Sequence, residues 1–464
     1  MAANTFDVVV LGAGPGGYVA AIRAAQLGLK VACVEADKLG GVCNNLGCIP
    51  TKALLESAMY ARRVHELGDF GIRVSEVSLD LGAAGKRAKK VADQGAKGVA
   101  FLFKKNNVEW VKGWGRLAGK GKVSVKGSDG ERTLEAKNII LATGSRPKDL
   151  PILKADGDRV WNSDHAVFPA GAPASLAVIG GGAVGMEFAD VYASFGTKVT
   201  VIEALERVLP LEDKDASAAV AKSYRKRGMD VLEGARLEKA DVGKAGVKLV
   251  VKAKDGKTNT IEVERVLVAV GRAPIIEDIG LESAGVRVDK GFIAVDAQLR
   301  TSAPGIFAIG DVARPPLLAH KASHEGIAVV ETIAGHAHVV DTNNIPNVTY
   351  CHPEVASVGL TEDAARAQGL EVEIGVFPFS ANGRARTAGE SEGFVKVVRD
   401  RRYSELLGAH IVGPHASELI AEFVLGRHLE STAEELERAM HPHPTLSEAV
   451  AEAALAALGR AIHI

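Results

Sequence analysis

A glycine-rich turn between a buried strand and a helix occurs twice in this chain, and it restricts the fold more than any other feature. The first copy, Gly12-Ala13-Gly14-Pro15-Gly16-Gly17, follows the apolar run Asp7-Val8-Val9-Val10-Leu11 and precedes helical periodicity over residues 18–27. A second apolar strand over 30–34 ends at Glu35. The second copy, Gly180-Gly181-Gly182-Ala183-Val184-Gly185, lies between a strand over 175–179 and a helix over 186–195, and its next strand ends at Glu203. In both copies the first glycine and the terminal acid are 23 residues apart. Gly12 and Gly180 permit the tight turn, Gly14 and Gly182 let a pyrophosphate reach the backbone, and Gly17 and Gly185 let helix and strand pack closely. The helix N-terminus then faces the phosphates. Matched spacing in two copies predicts two dinucleotide-binding domains.

Glu35 and Glu203 stand where a carboxylate accepts ribose hydroxyls. A 2′-phosphate beside Glu203 would meet a negative charge, and Arg207 lies behind that acid, so the second copy predicts NAD rather than NADP. A further repeat closes each unit: residues 138–147, ending Ala142-Thr143-Gly144-Ser145-Arg146-Pro147, resemble 265–274, which contain Gly271. Residues 107–126 and 230–263 alternate as small antiparallel insertions do. From about 345 no third fingerprint appears. Strands over 376–379, 393–398 and 406–412 and helices over 417–429, 432–438 and 445–458 predict a separate α+β unit.

The chain has 464 residues, enough for several domains, and a net charge of −1, which implies no bulk attraction to nucleic acid or membrane. No apolar run of the ~18 residues needed to span a bilayer occurs, and no signal peptide precedes the first strand, so a cytoplasmic chain is expected. Four cysteines in this length make no disulfide scaffold. Cys33 reads as a core residue of the second strand, and Cys351, beside His352, as a core or interface residue.

Cys43 and Cys48 lie in Gly40-Gly41-Val42-Cys43-Asn44-Asn45-Leu46-Gly47-Cys48-Ile49-Pro50-Thr51-Lys52. Their spacing is wrong for most zinc knuckles. Such a pair at a distorted helix start can close into a disulfide, a two-electron store. A zinc set of Cys43, Cys48, His441 and His443 is formally possible, but it would leave the two nucleotide sites unexplained. An electron-exchanging first nucleotide explains them, and FAD is the economical choice there, because a flavin can face a thiolate on one side and a nicotinamide on the other. No metal is expected.

These motifs, with Gly310-Asp311, Leu318-Ala319-His320-Lys321 and His441-Pro442-His443-Pro444-Thr445-Leu446-Ser447-Glu448, resemble the flavin-dependent pyridine nucleotide–disulfide oxidoreductases from about residue 6 to the C-terminus. The resemblance implies an α/β fold with a discontinuous FAD domain (1–148 and 275–345), an NAD domain (149–274) and a dimerisation domain (346–464). It implies oxidation of a protein-bound dihydrolipoamide, with electrons passing through a Cys43–Cys48 disulfide and FAD to NAD⁺. Cys43 would meet substrate and Cys48 would lie nearer the flavin. Lys52 would pair with Glu187 beside the flavin, and Asp311 would bond flavin hydroxyls. Gly115, Thr143, Gly144, Ser145, Leu317, Ala319, His320 and Gly271 complete the implied cofactor contacts. His443, oriented by Glu448 and supplied by the other subunit of a homodimer, would be the acid–base. Implied partners are lipoyl domains and the acyltransferase core of 2-oxo acid dehydrogenase complexes, or the glycine cleavage carrier. Another disulfide or metal-ion reductase, or a flavoprotein with a second, non-catalytic binding role, stays open. Asn44 departs from the family, which often has an apolar residue there.

Overall fold

The computed structural model describes residues 4–128, 130–336 and 338–464, and the chain divides into two compact units. The first comprises Met1–Leu54, Gly82–Lys148 and Arg272–Val340. Its parallel sheet is centred on β1 (Thr5–Leu11), with β2 (Val31–Glu35) on one side and Gly130–Leu141 on the other. Val10 stands opposite Cys33 and Ile140, and all three are buried, as a strand covered on both faces requires. Ile306–Ala308 adds to the sheet beside Gly130–Leu141, so chain from after residue 271 completes a sheet begun at residue 5.

Helix α1 (Pro15–Gln26) covers one face together with helix Ala319–Ile333. They approach through small residues: a Cβ on Gly326 would lie 2.6 Å from the Gly16 carbonyl oxygen. After β2 come α2 (Gly41–Asn45), α3 (Cys48–Arg63) and the long α4 (Leu81–Lys105).

The second unit comprises Leu55–Leu81, Asp149–Gly271 and Asp341–Ile464. Strand β3 (Ser175–Ile179) pairs in parallel with β4 (Lys198–Glu203) and with Arg265–Val268, and α5 (Ala183–Ser194) connects β3 to β4. A five-stranded antiparallel sheet follows, its central strands Val355–Gly359, Leu406–Val412 and Phe394–Asp400. Helix α6 (Glu448–Ala457) packs on its strand Val372–Pro378. The approach is set by Gly375, whose Cβ would lie 2.1 Å from the Ala453 carbonyl oxygen.

The α/β class and the α+β C-terminal region are as the sequence predicts. Two details differ in the same way. Glu109–Lys112 and Asp230–Glu233 fall in the stretches read as antiparallel insertions, yet each is a parallel edge strand, paired with β2 and β4 respectively. An edge strand with one wet face alternates like a hairpin strand, so its pattern does not reveal its direction. The antiparallel parts are Trp114–Leu117 with Lys122–Gly127, and Arg236–Val242 with Val247–Lys252 and Thr258–Val263.

Lys396 is buried in the second unit, and its Nζ reaches Asp213 at 2.9 Å, Asp215 at 2.6 Å and Glu362 at 3.0 Å. Burial opposes the charged lysine, but the three carboxylates outweigh it and raise its pKa. Burial would push Asp213 and Glu362 up, but Lys396 holds both below the usual carboxylate range. The cluster therefore stabilises from above the ordinary carboxylate range to below the ordinary lysine range. That stabilisation fades as pH falls through the lowered carboxylate values and as it rises through the raised lysine value. Lys396→Met should lower the urea midpoint of the cofactor-loaded protein at pH 7 by the equivalent of about 3 kcal/mol, because the buried Asp213 and the partly buried Glu362 lose their partner. The deficit should shrink below about pH 4, where those carboxylates protonate in the unfolded chain.

Candidate functional site

Both glycine loops have the same geometry. A Cβ on Gly17 would lie 1.9 Å from the Gly12 carbonyl oxygen, and one on Gly185 would lie 1.9 Å from that of Gly180. Gly12 and Gly180 adopt positive φ, 100° and 106°. A Cβ on Gly14 or Gly182, by contrast, would meet nothing within 4 Å. In each copy the first and third glycines serve the chain's own packing, and the second leaves open space at a helix N-terminus. This is where a pyrophosphate fits.

The terminal acids are held alike. Glu35 accepts from the Ala13 amide at 2.8 Å and the Asp37 amide at 2.9 Å, one bond on each oxygen. Glu203 accepts from the Gly181 amide at 2.6 Å and the Leu205 amide at 2.7 Å. Each carboxylate oxygen keeps lone-pair capacity for a ribose hydroxyl. The acid thus fixes its own glycine loop.

The cysteine stretch is built onto the first loop. The Gly40 amide donates to the Ala13 carbonyl at 2.8 Å, and a Cβ on Gly41 would lie 2.6 Å from Gly14 Cα. Cys43 on α2 and Cys48 at the start of α3 form a disulfide, with their Cα atoms 4.7 Å apart. The Asn45 side chain donates to the Leu39 and Gly41 carbonyls at 3.1 and 2.8 Å and fixes the turn that presents Cys43. Lys52 stands one turn beyond Cys48 on α3.

Across the same unit, Asp311 accepts the Ser145 hydroxyl at 2.5 Å, and that hydroxyl accepts from Arg272 Nε at 2.7 Å. Thr143 donates its hydroxyl to the Ile275 carbonyl at 2.7 Å. Ser145 and Thr143 thus bind neighbouring parts of their own chain, while Gly144 is open on its Cβ side. Gly115 admits strand Trp114–Leu117 against Leu11 and Val34, since a Cβ there would lie 2.7 Å from Leu11 Cδ2. Leu317 precedes helix Ala319–Ile333, whose first turn carries Ala319 and His320.

Glu325 and Arg314, which the sequence did not single out, support the Gly310–Asp311 turn together with Lys321 of the Leu318-Ala319-His320-Lys321 motif. Glu325, fully buried, accepts from the Gly310 amide at 2.7 Å and from Arg314 at 3.2 Å, with Lys321 Nζ 3.5 Å away. Burial pulls the Lys321 pKa down, against the pull of Glu325 and Asp311. The only local hint was a Lys–Glu pair one turn apart in a helix with little solvent-facing surface.

In the second unit Glu187 is buried and accepts the Tyr350 amide at 3.0 Å. Gly271 has φ 106° and open space at its Cβ. His443 Nδ1 lies 2.8 Å from Glu448 Oε1, and the Thr445 amide donates to Glu448 Oε2 at 2.8 Å. Burial would raise the Glu448 pKa, but the Thr445 amide and His443 outweigh it and hold the carboxyl below its ordinary range. His443 is 80% exposed, and among the described residues Glu448 is the one hydrogen-bond partner of its ring. His441 differs: both ring nitrogens are occupied, by the Ala439 carbonyl at 2.8 Å and Glu422 at 2.7 Å. Thr445 and Glu448 form half of a capping box: Glu448 takes the Thr445 amide, but the Thr445 hydroxyl goes to the Pro442 carbonyl, and the helix begins after Ser447.

Cys33 and Cys351 are fully buried, and burial raises both thiol pKa values. His352 is pushed down to about 4 by burial and by Arg62. Among the described residues no group of three or more His, Cys, Asp or Glu is placed to hold a metal ion, and no helix is long and apolar enough to cross a membrane.

Residues 6–326 match the family model of pyridine nucleotide-disulphide oxidoreductases, and residues 345–454 match the dimerisation domain of that family. The chain belongs to this family. It is 47% identical over 464 residues to a dihydrolipoyl dehydrogenase of Zymomonas mobilis subsp. mobilis, covering 99% of this chain and 100% of the relative. It is 46% identical over 472 residues to a dihydrolipoyl dehydrogenase of Bacillus subtilis, with the same coverage of both. Among solved structures it is similar to LpdA of Mycobacterium tuberculosis, with a TM-score of 0.90 at 28% identity, over 96% of this chain and 98% of that one.

Glu203→Ala removes the clamp on the second loop only. The expected outcome is a KM for NAD⁺ raised at least tenfold with flavin content unchanged, measured by steady-state kinetics and flavin absorbance. Loss of flavin in this variant would contradict the assignment of Glu203 to the second nucleotide.

Proposed function

We propose that this chain oxidises protein-bound dihydrolipoamide to lipoamide and delivers the electron pair to NAD⁺. The observation that carries this reading is the Cys43–Cys48 disulfide, carried by a segment whose Gly41 packs against Gly14 of the first nucleotide loop. Residues 1–148 and 275–345 hold FAD, through Gly12, Gly14, Gly17, Glu35 and the Asp311 turn. Residues 149–274 hold NAD, through Gly180, Gly182, Gly185 and Glu203, and residues 346–464 form the dimer contact. Bound FAD supplies a two-electron carrier between the dithiol and the nicotinamide.

The chain's own residues do the thiol chemistry. A substrate thiolate attacks Cys43 Sγ, forms a mixed disulfide and releases Cys48 as thiolate. The second substrate thiol gives its proton to His443, attacks its neighbouring substrate sulfur, and frees Cys43 as the cyclic disulfide leaves. The substrate, which entered as one thiolate and one thiol, has then lost two electrons and the one proton now on His443, and the cysteine pair, as two thiolates, has gained the electrons. Glu448 fixes Nδ1 of His443, so that Nε2 is the working nitrogen. Because its pKa is lowered, Glu448 keeps this role into the acid range. The lipoyl substrate would be carried by another chain, the lipoyl domains of 2-oxo acid dehydrogenase complexes or the glycine cleavage carrier. His443 would serve the disulfide of the partner subunit in a homodimer.

Two variants test this. Cys48→Ser should retain FAD and lose dihydrolipoamide-dependent NADH formation by at least about 10³-fold. His443→Gln should slow the thiol half-reaction about 10²- to 10⁴-fold, while NADH still reduces ferricyanide at the parent rate. Near-normal turnover of Cys48→Ser, or equal loss of both half-reactions in His443→Gln, would contradict the reading.

A further inference from the structure

Asn44 lies between the two cysteines, and its side chain is engaged. Its Nδ2 donates to the Ala92 carbonyl of α4 at 3.0 Å, and it lies 3.3 Å from Asn45 Oδ1. Ala92 O can only accept, so the amide nitrogen must be the group that faces it. The side chain occupies a slot left by two glycines. A Cβ on Gly95, in the interior of α4, would lie 2.0 Å from Asn44 Oδ1, and a Cβ on Gly40 would lie 2.6 Å from Asn44 Cβ. Glycine inside a helix costs about 1 kcal/mol relative to alanine, so Gly95 calls for a packing reason, and Asn44 supplies one.

We propose that Asn44 is a positioning residue of the redox centre: its bond to Ala92, in the slot opened by Gly95, holds α2 in the seat that favours the closed Cys43–Cys48 disulfide. This deepens the functional reading above and rests on that pair being the redox centre. Reduction of the pair takes two electrons and two protons and converts one S–S bond into two thiols. The sulfurs then separate from bonding to van der Waals distance, and α2, which carries Cys43, must yield relative to α3. A tether made with α2 in its disulfide position opposes that movement. Losing the tether therefore favours the dithiol and makes the couple less negative. One hydrogen bond of ordinary net strength corresponds to a three- to tenfold change in the equilibrium.

The test is equilibration of the FAD-loaded enzyme in buffers of oxidised and reduced dithiothreitol, with acid quench, alkylation and mass spectrometry of the Cys43–Cys48 peptide. Asn44→Ala should shift the equilibrium three- to tenfold toward dithiol, about 15 to 30 mV for a two-electron couple. Gly95→Ala should shift it the same way, because the new Cβ displaces the Asn44 side chain, although alanine itself favours the helix. In the double variant Gly95→Ala should add nothing, since the group it displaces is gone. A purely structural role for Asn44 would change the melting temperature and leave the equilibrium unmoved. Asn44→Ala within twofold of the parent, or Gly95→Ala acting equally with and without Asn44, overturns the proposal while leaving the functional reading intact. A pair that never becomes alkylated overturns both.

Discussion

Hydrogen is the only substituent that fits where Gly17 faces the Gly12 carbonyl and where Gly185 faces that of Gly180. The rest of the molecule depends on those two close approaches. They bring each helix N-terminus against the end of its sheet, where the dipole and free amides favour a phosphate. They also bring the loop amides within reach of Glu35 and Glu203, each of which closes its loop with two backbone bonds. The disulfide inherits its place from the first of these loops, through the Gly40–Ala13 bond and the contact of Gly41 with Gly14. A redox pair on a mobile loop would have no defined distance to a bound nucleotide. One built onto the phosphate turn does.

The C-terminal region uses the same device for a different purpose. Gly375 lets α6 lie directly on its strand, and the first residue of α6 is Glu448. The carboxylate is divided between the Thr445 amide and His443, so one side chain fixes both the turn and the imidazole. His441, two residues away, has both nitrogens committed. Geometry thus separates two histidines that composition leaves equivalent.

What the sequence made legible follows from what is local. The fingerprints could be read because a turn that needs glycine needs it at fixed offsets. The return of the chain to the first sheet at Ile306–Ala308 was legible only through the family resemblance, because a strand ending at Gly310-Asp311 does not say which sheet it joins. The direction of Glu109–Lys112 and Asp230–Glu233 could not be read, because pairing partners leave no mark on a half-exposed strand. Nor could the support of the Asp311 turn, since Arg272 and Ser145 are 127 residues apart. Asn44 stood out as a departure, but its partner Ala92 lies 48 residues on, and nothing beside either residue announces the contact.

The central claim is that the Cys43–Cys48 pair carries the electrons from a dithiol toward NAD⁺. The most direct measurement reduces the FAD-loaded enzyme, alkylates both cysteines with iodoacetamide, and compares two activities of the same sample. Dihydrolipoamide-dependent NADH formation should vanish, while NADH-dependent reduction of ferricyanide persists. Dihydrolipoamide oxidation that survives full alkylation of both cysteines would contradict the account.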